Sequence, residues 1–519
     1  MTDCKALETP PATLAPALLR PEEESRLLLV TPRGDERLYE GRVHHTFTLE
    51  QAVARAVGGT TIRLLPGKYY RGTALVGKRG EEKAPIVIEG TCDAAGRPLA
   101  EICGTNAAGA IYPDLPAWED YAFLKLRNCE HVIVRHLRVE SCWPSFLYAQ
   151  ATRHLTVEDV SGRDGTYLIF LRGPGSSDLT VRGCSWIQDP TGTLWNAVDW
   201  EQSHHGAYAY YNGALVGGRD FERNALIEHN RVESAFNGIR FETSSTDRRE
   251  IQGRFNVNFR IRHNGFRNIR DNAVEPEDTL LNWHVYGNAF HNVHACFSLH
   301  DLHGGYLYLY ANRLWFDARG GADFQDNRGG KVYKLRHDGP LPEHPFHVFN
   351  NSLFIRSYLI KKGRARHFQH RGNAIQLCRP GEHPDCLCPE RDGLLKDFPI
   401  DRLKEPLPWD PSVRFDGDAC NVAFGSLLTG KGQEAAGLVA PDLGFVDAPA
   451  GDFSLRPESP LRGAGGLFVL ERGRDLPPNA SSWRNWEGEG RPHIGALQEA
   501  GLTQGPPFTA IPEGFCTAG

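Results

Sequence analysis

The stretch IEHNRV at 227–232 returns as IRHNGF at 261–266, VYGNAF at 285–290, LYANRL at 309–314 and VFNNSL at 348–353. The asparagines Asn230, Asn264, Asn288, Asn312 and Asn351 are separated by 34, 24, 24 and 39 residues, so a bare period of 24 carries two insertions. Working backwards, VIVRHLRVES, LTVEDVSGRD and LTVRGCSWIQ occupy the same frame at Leu137, Val160 and Cys184, which gives eight coils in register. Each unit holds short alternating β-rich stretches and no helical period, so one repeat corresponds to one turn of a parallel β-solenoid. A leucine-rich horseshoe has a similar unit length, but the L-x-x-L-x-L frame is missing. The asparagine column is read as structural, each side chain bonding to the coils above and below.

The fold expected is an all-β, right-handed parallel β-helix with an N-terminal capping helix and an irregular C-terminal wrap. Residues 1–44 are read as an N-terminal extension, 45–378 as the β-helix and 379–519 as a covering segment that continues and closes it. The capping helix is expected over 48–57. Insertions are expected at 190–225, rich in Trp, Tyr and His, at 243–256 and at 318–331, and a Pro-rich stretch follows residue 379.

The chain has 519 residues, of which 40% are hydrophobic and 24% charged, enough apolar material for a sizeable core. Its net charge of −6, with no strongly basic half, argues against nucleic acid as an obligatory partner. No apolar run approaches the length of a membrane helix. Twelve cysteines are easier to place in an oxidising compartment, so an extracytoplasmic site is expected although the N-terminus lacks a secretory signal pattern. Cys92 with Cys103, and the cluster Cys378, Cys386 and Cys388, are read as disulfide candidates; buried free thiols, and zinc at the second cluster near His383, are the alternatives.

The start, HTFTLEQAVARAVGGTTIRLLPGKYYRGTALVGKRGEEKAPIVIEGT, and the tail, APDLGFVDAPAGDFSLRPESPLRGAG with RPHIGALQ, resemble the opening and closing segments of the pectate-lyase-like superfamily of right-handed β-helices. That superfamily hosts lyases, hydrolases, epimerases and adhesins, so the resemblance implies a fold and leaves the chemistry to the residues.

Aligning NGIRFET (237–243), NAVEPED (272–278), ACFSLHD (295–301) and VYKLRHD (332–338) by strand alternation turns Ile239, Val274, Phe297 and Tyr333 inward. Two outward columns remain. One holds Arg240, Glu275, Ser298 and Lys334, the other Glu242, Glu277, His300 and Arg336. Coils about 4.8 Å apart would gather these groups within about 15 Å. Such a set suits cleavage of a uronic-acid-containing polysaccharide by β-elimination, which needs a neutralised carboxylate, a base and an acid. Lys334 or His300 is read as the base, and Arg336 as neutralising the substrate or flanking the leaving oxygen. Glu275, Glu277, Asp271 and Asp278 are candidate ligands for Ca²⁺.

LRHDG at 335–339 resembles the Leu-Arg-His motif of chondroitinase B and its related alginate lyases, and the Glu-x-Glu pair is similar to their calcium ligands. There the catalytic lysine sits one coil earlier, where this chain has SLHDLH. Hydrolysis is the rival chemistry, because Glu242 and Glu277 on adjacent coils would be about 5 Å apart, near the retaining distance. Arg240, His303 and the aromatic insertion residues Trp195, Trp200, His204, Tyr208 and Tyr210 are read as sugar contacts. His300, Asp301 and His303 could alternatively bind a transition metal. A non-enzymatic polysaccharide-binding or adhesion protein is the alternative from a different class. The oligomeric state is left open.

Overall fold

The computed structural model describes residues 26–104, 122–142, 144–188, 212–245, 247, 253–300, 302–316, 331–335, 340–355, 358–360, 364–378, 410–422, 432–470, 483–486 and 488–496. Two long parallel sheets dominate, one of 24 strands and one of ten. The longer sheet folds round two sides of each coil, since Glu130–Glu140 pairs with both Ile86–Gly90 and Ala100–Cys103 of the coil before. Parallel pairing throughout these two sheets, with right-handed crossovers the rule, makes the chain a right-handed parallel β-helix.

The ten-stranded sheet carries the candidate site. Its strands are β1 (Thr73–Val76), β2 (Ala122–Arg127), β3 (Ser145–Gln150), β4 (Tyr167–Arg172), β5 (Val216–Arg219), β6 (Ile239–Glu242), β7 (Asn272–Pro276), β8 (Ala295–Ser298), β9 (Lys331–Lys334) and β10 (Tyr358–Ile360). They lie side by side in chain order, one per coil. Strand β5 falls inside the stretch expected to be a continuous insertion. Gly217 and Gly218 hide its alternation, because neither contributes a side chain to either face.

Helix α1 (Leu49–Arg55) is shorter than the sequence pattern suggests. Thr48 and Gln51 form a capping box at its start, and Leu49, Ala52 and Val53 close the end of the core. The parallel sheet begins earlier than residue 45, at Leu27–Val30, which pairs with Thr61–Leu64. At the other end Arg414–Asp416, Ala419–Cys420 and Leu438–Val439 continue it.

The asparagine column is a continuous buried ladder. Asn230, Asn264, Asn288, Asn312 and Asn351 each donate through Nδ2 to the next Oδ1 at 2.8–3.1 Å. Two further rungs, Asn373 and Asp418, extend it past the five read in the sequence. On the N-terminal side Cys184 occupies the rung position, with Leu137 and Val160 beyond it, as the frame requires.

On the outer side of the 24-stranded sheet, Arg63, Glu89, Arg135, Glu158 and Arg182 alternate coil by coil and pair throughout. Farther along, Tyr286, Tyr310 and Phe349 stack at 4.8 and 4.9 Å between ring centroids, and Phe468 of the C-terminal wrap caps the stack. The wrap is held by aromatic packing on a stripe the coils have already built.

The expected Cys92–Cys103 bridge is not formed, and both thiols are free. Cys92 bridges to Pro98 in the loop, and Cys103 lies five residues farther along an extended strand, roughly 15 Å away and beyond disulfide reach. Cys103 instead donates to the Glu101 carboxylate at 3.4 Å. Cys378 is disulfide-bonded; Cys386, Cys388 and His383 lie outside the described residues.

Candidate active site

Strand pairing places Arg240 on β6 beside Gly217 on β5 and Glu275 on β7. The next two coils set Ser298 and Lys334 in the same column. Ile239, Val274, Phe297 and Tyr333 face the core and are buried. The column of Arg240, Glu275, Ser298 and Lys334 is thus in register, and Glu242 and Glu277 of the second column meet it on one guanidinium. Arg240 Nη2 lies 3.0 Å from Glu277 Oε2 and 3.6 Å from Glu242 Oε2, while its Nε lies 3.5 Å from Glu275 Oε2. Arg219 on β5 holds Glu242 from the other side, its Nε at 2.7 Å.

Depth separates the carboxyl groups. The Glu275 side chain is 5% exposed against 29% for Glu277. Burial pushes the Glu275 carboxyl up to about 8, and the charge of Glu277 adds to the effect while Arg240 opposes it. Asn272 Nδ2, 2.5 Å from Glu275 Oε1, fixes its orientation. Burial also raises Glu242, against the pull of Arg240 and Arg219. Burial works against the charge on Arg240, but Tyr167 and the three glutamates more than offset it and hold the guanidinium well above its usual range. At neutral pH the face therefore presents a protonated carboxyl behind an exposed one, with a permanent cation between them.

Lys334 reaches back to Asp271, its Nζ 3.7 Å from Oδ1. His300 is half-buried just past the end of β8. His303 opens a strand of the other sheet, His303–Tyr310, where its Nδ1 lies 3.3 Å from Glu343. It is therefore set apart from the column that holds Glu275. Arg336, Asp301, Trp195, Trp200, His204, Tyr208 and Tyr210 lie outside the described residues.

The expected calcium ligands do not fit a cage. Arg240 stands against Glu275 and Glu277, where a divalent cation would be repelled, and Lys334 pairs with Asp271. Asp278 turns away, accepting from Thr243 N at 3.1 Å and from its hydroxyl at 3.0 Å. Two residues of the cluster escape the column reading. Arg219 sits in the glycine-masked strand, and Tyr167 arrives from two coils away.

The class that fold and site define is a right-handed parallel β-helix carrying a mixed carboxylate and guanidinium face. No family model matches the chain, and no curated protein matches it. Among solved structures, a pectate lyase, Pel9A, is similar at 13% identity over 91% of this chain and 96% of its own, with a TM-score of 0.40. A GH136 lacto-N-biosidase from Eubacterium ramulus is similar at 14% identity over 70% of this chain and 67% of its own, TM-score 0.42. The PL6 alginate lyase AlyGC is similar at 13% identity over 76% of this chain and 51% of its own, TM-score 0.35. The likeness is one of coil architecture.

Proposed function

We propose that the chain is a carbohydrate-active enzyme, working outside the cytoplasm, that cleaves a polysaccharide laid across the coils of the ten-stranded sheet. The observation that carries this reading is the Glu275–Glu277 pair on one guanidinium, a proton store with one exposed member. A leaving glycosidic oxygen needs such a proton, whichever way the bond breaks.

On a uronic-acid polymer the reaction is β-elimination. Lys334 takes the C5 proton, the electron pair forms the C4–C5 double bond, the C4–O bond breaks, and Glu277, handed the proton that Glu275 holds, protonates the departing oxygen. Arg219 and Arg240, with Arg336 from the second column, offer positive charge to the uronate, and His300 borders the same column. Hydrolysis is the second reading, and the shared contact of Glu242 and Glu277 with Arg240 Nη2 favours it, because two neighbouring carboxyl groups are its minimum equipment.

The test is a panel of uronate and neutral polysaccharides followed by ultraviolet absorbance of unsaturated products together with reducing ends. Both signals rising supports elimination, and Lys334→Ala then abolishes it. Reducing ends alone move the assignment to Glu242 and Glu277. Silence in both channels across the panel sinks the enzymatic reading.

A further inference from the structure

Tyr167 enters the site by a route that strand alternation does not describe. The carbonyl of Pro144 accepts from both Thr166 N and Tyr167 N at 2.9 Å, a two-against-one arrangement that behaves as a bulge. The bulge turns Tyr167 to the outer face, where its ring packs on Phe170 with centroids 5.0 Å apart, and Phe170 in turn stacks on Tyr148. From there the ring lies over Gly217: a Cβ at that glycine would stand 2.4 Å from Tyr167 Cε1. Gly217 is the strand neighbour of Arg240, so the ring reaches across one strand toward the column that carries the guanidinium. Burial holds the Tyr167 phenol protonated, far above its usual range, and Arg240 is the charged group that most opposes that shift.

We propose that Tyr167 is a positioning residue of this site, its phenol held through the gap at Gly217 so as to fix the Arg240 guanidinium between Glu277 and Glu275. The inference rests on the functional reading of the same face, but its physical content is the placement of one cation. With the phenol in place, Arg240 stands nearer to Glu277 than to Glu275. Without it, the guanidinium can close on Glu275 and stabilise that carboxylate. The groups facing Glu275 are Arg240 and Glu242 of β6, Asp271, Asn272 and Glu277 around β7, Ser298 of β8, Lys334 of β9, and Tyr167 and Arg219 from the preceding coils.

The experiment follows the protonated carboxyl band by infrared difference spectroscopy across pH, with Glu275→Gln identifying the band. Tyr167→Phe keeps the ring and removes only the hydroxyl. It is expected to weaken proton binding at Glu275 by about tenfold. Gly217→Ala displaces the ring and should do the same, and the double variant should do no more than either alone. An unmoved midpoint in Tyr167→Phe, or effects that sum in the double variant, overturns the proposal. Cleavage assays separate the two claims. If Glu277→Gln leaves cleavage intact the functional reading fails, while the titration still decides the role of Tyr167.

Discussion

One arginine organises the candidate site. Arg240 is the common partner of three glutamates on two coils, and the depth of Glu275 sets which carboxyl keeps a proton. Replacing it by methionine leaves these carboxyl groups facing one another in a poorly hydrated place, for which the cost is about 3–5 kcal/mol. Chemical denaturation of Arg240→Met checks this, and a loss below about 1 kcal/mol would show that Arg219 alone suffices. The proton store has a pH signature as well. Glu275 is held protonated up to about 8, so cleavage that depends on the stored proton should fall as pH rises through that value. In Glu275→Gln the stored proton is absent, so the alkaline limb should vanish from that pH. A limb that stays in place would remove the pair from the mechanism. Strand alternation alone brings Arg240, Glu242, Glu275, Glu277 and Lys334 into view, because an outward column needs nothing but period two. Tyr167 is invisible to that logic, since a bulge changes its side and a glycine on the next coil decides where its ring can lie. Asp271 and Asp278 share the charge of the glutamates without sharing their column, which is why reading them as common ligands fails.

The ladder is the element that sets the coil register. Each rung is preceded by a residue in the left-handed region: His229, His263, Gly287, Ala311, Asn350 and Gly372 have φ of 55, 55, 64, 55, 51 and 64°. That conformation turns the chain sharply and drops the following asparagine inside, where it must satisfy all its polar atoms. Asn288 does so. Its Oδ1 accepts from Asn264 N and Nδ2 at 2.9 and 3.0 Å, and its Nδ2 donates to Ile261 O and Asn312 Oδ1 at 2.9 and 3.1 Å. Asn288→Ala strands donors and acceptors on both neighbouring coils, and an unfolding loss of about 3 kcal/mol is expected in urea. A loss within about 0.5 kcal/mol would mean that water replaces the rung. Five rungs are legible because their spacing is close to regular. Asn373, 22 residues past Asn351, keeps the same spacing and is legible with them, but Asp418 is not, because 45 residues separate it from Asn373 and it is an aspartate.

The whole molecule responds to pH through the end of that ladder. Asp418 takes the place of an asparagine, with Oδ1 accepting from Asn373 N and Nδ2 and Oδ2 at 2.5 Å from His370 Nδ1, both side chains fully buried. Glu434 closes over it, accepting from Asp418 N at 3.1 Å. Burial pushes Asp418 up to about 7 and, with the neighbouring Asp418 adding to it, Glu434 up to about 10; burial also presses His370 and His347 down to about 3. The carboxyl groups hold protons in the folded chain that the unfolded chain releases above about 4. Their contribution to stability is therefore full at low pH and is lost as pH rises toward their folded values. The two histidines act oppositely. Unfolding lets them take up protons below about 6.5, so they penalise the folded chain as pH falls from there toward 3. Above about 6.5 the carboxyl penalty still grows, joined above about 8 by the buried thiols of Cys142, Cys184, Cys296 and Cys420, which burial keeps protonated, and the thermal midpoint should decline from there to pH 9. Asp418→Asn restores the rung chemistry of the six asparagines before it and removes the ionisable group that faces Glu434. Its thermal midpoint should match the parent near pH 4 and exceed it at pH 9, because the variant has no second carboxylate to form in the dry interior. Equal declines in parent and variant would show that the alkaline loss arises elsewhere on the chain, and a variant less stable at both pH values would show that the Asp418–His370 contact outweighs the charge it costs.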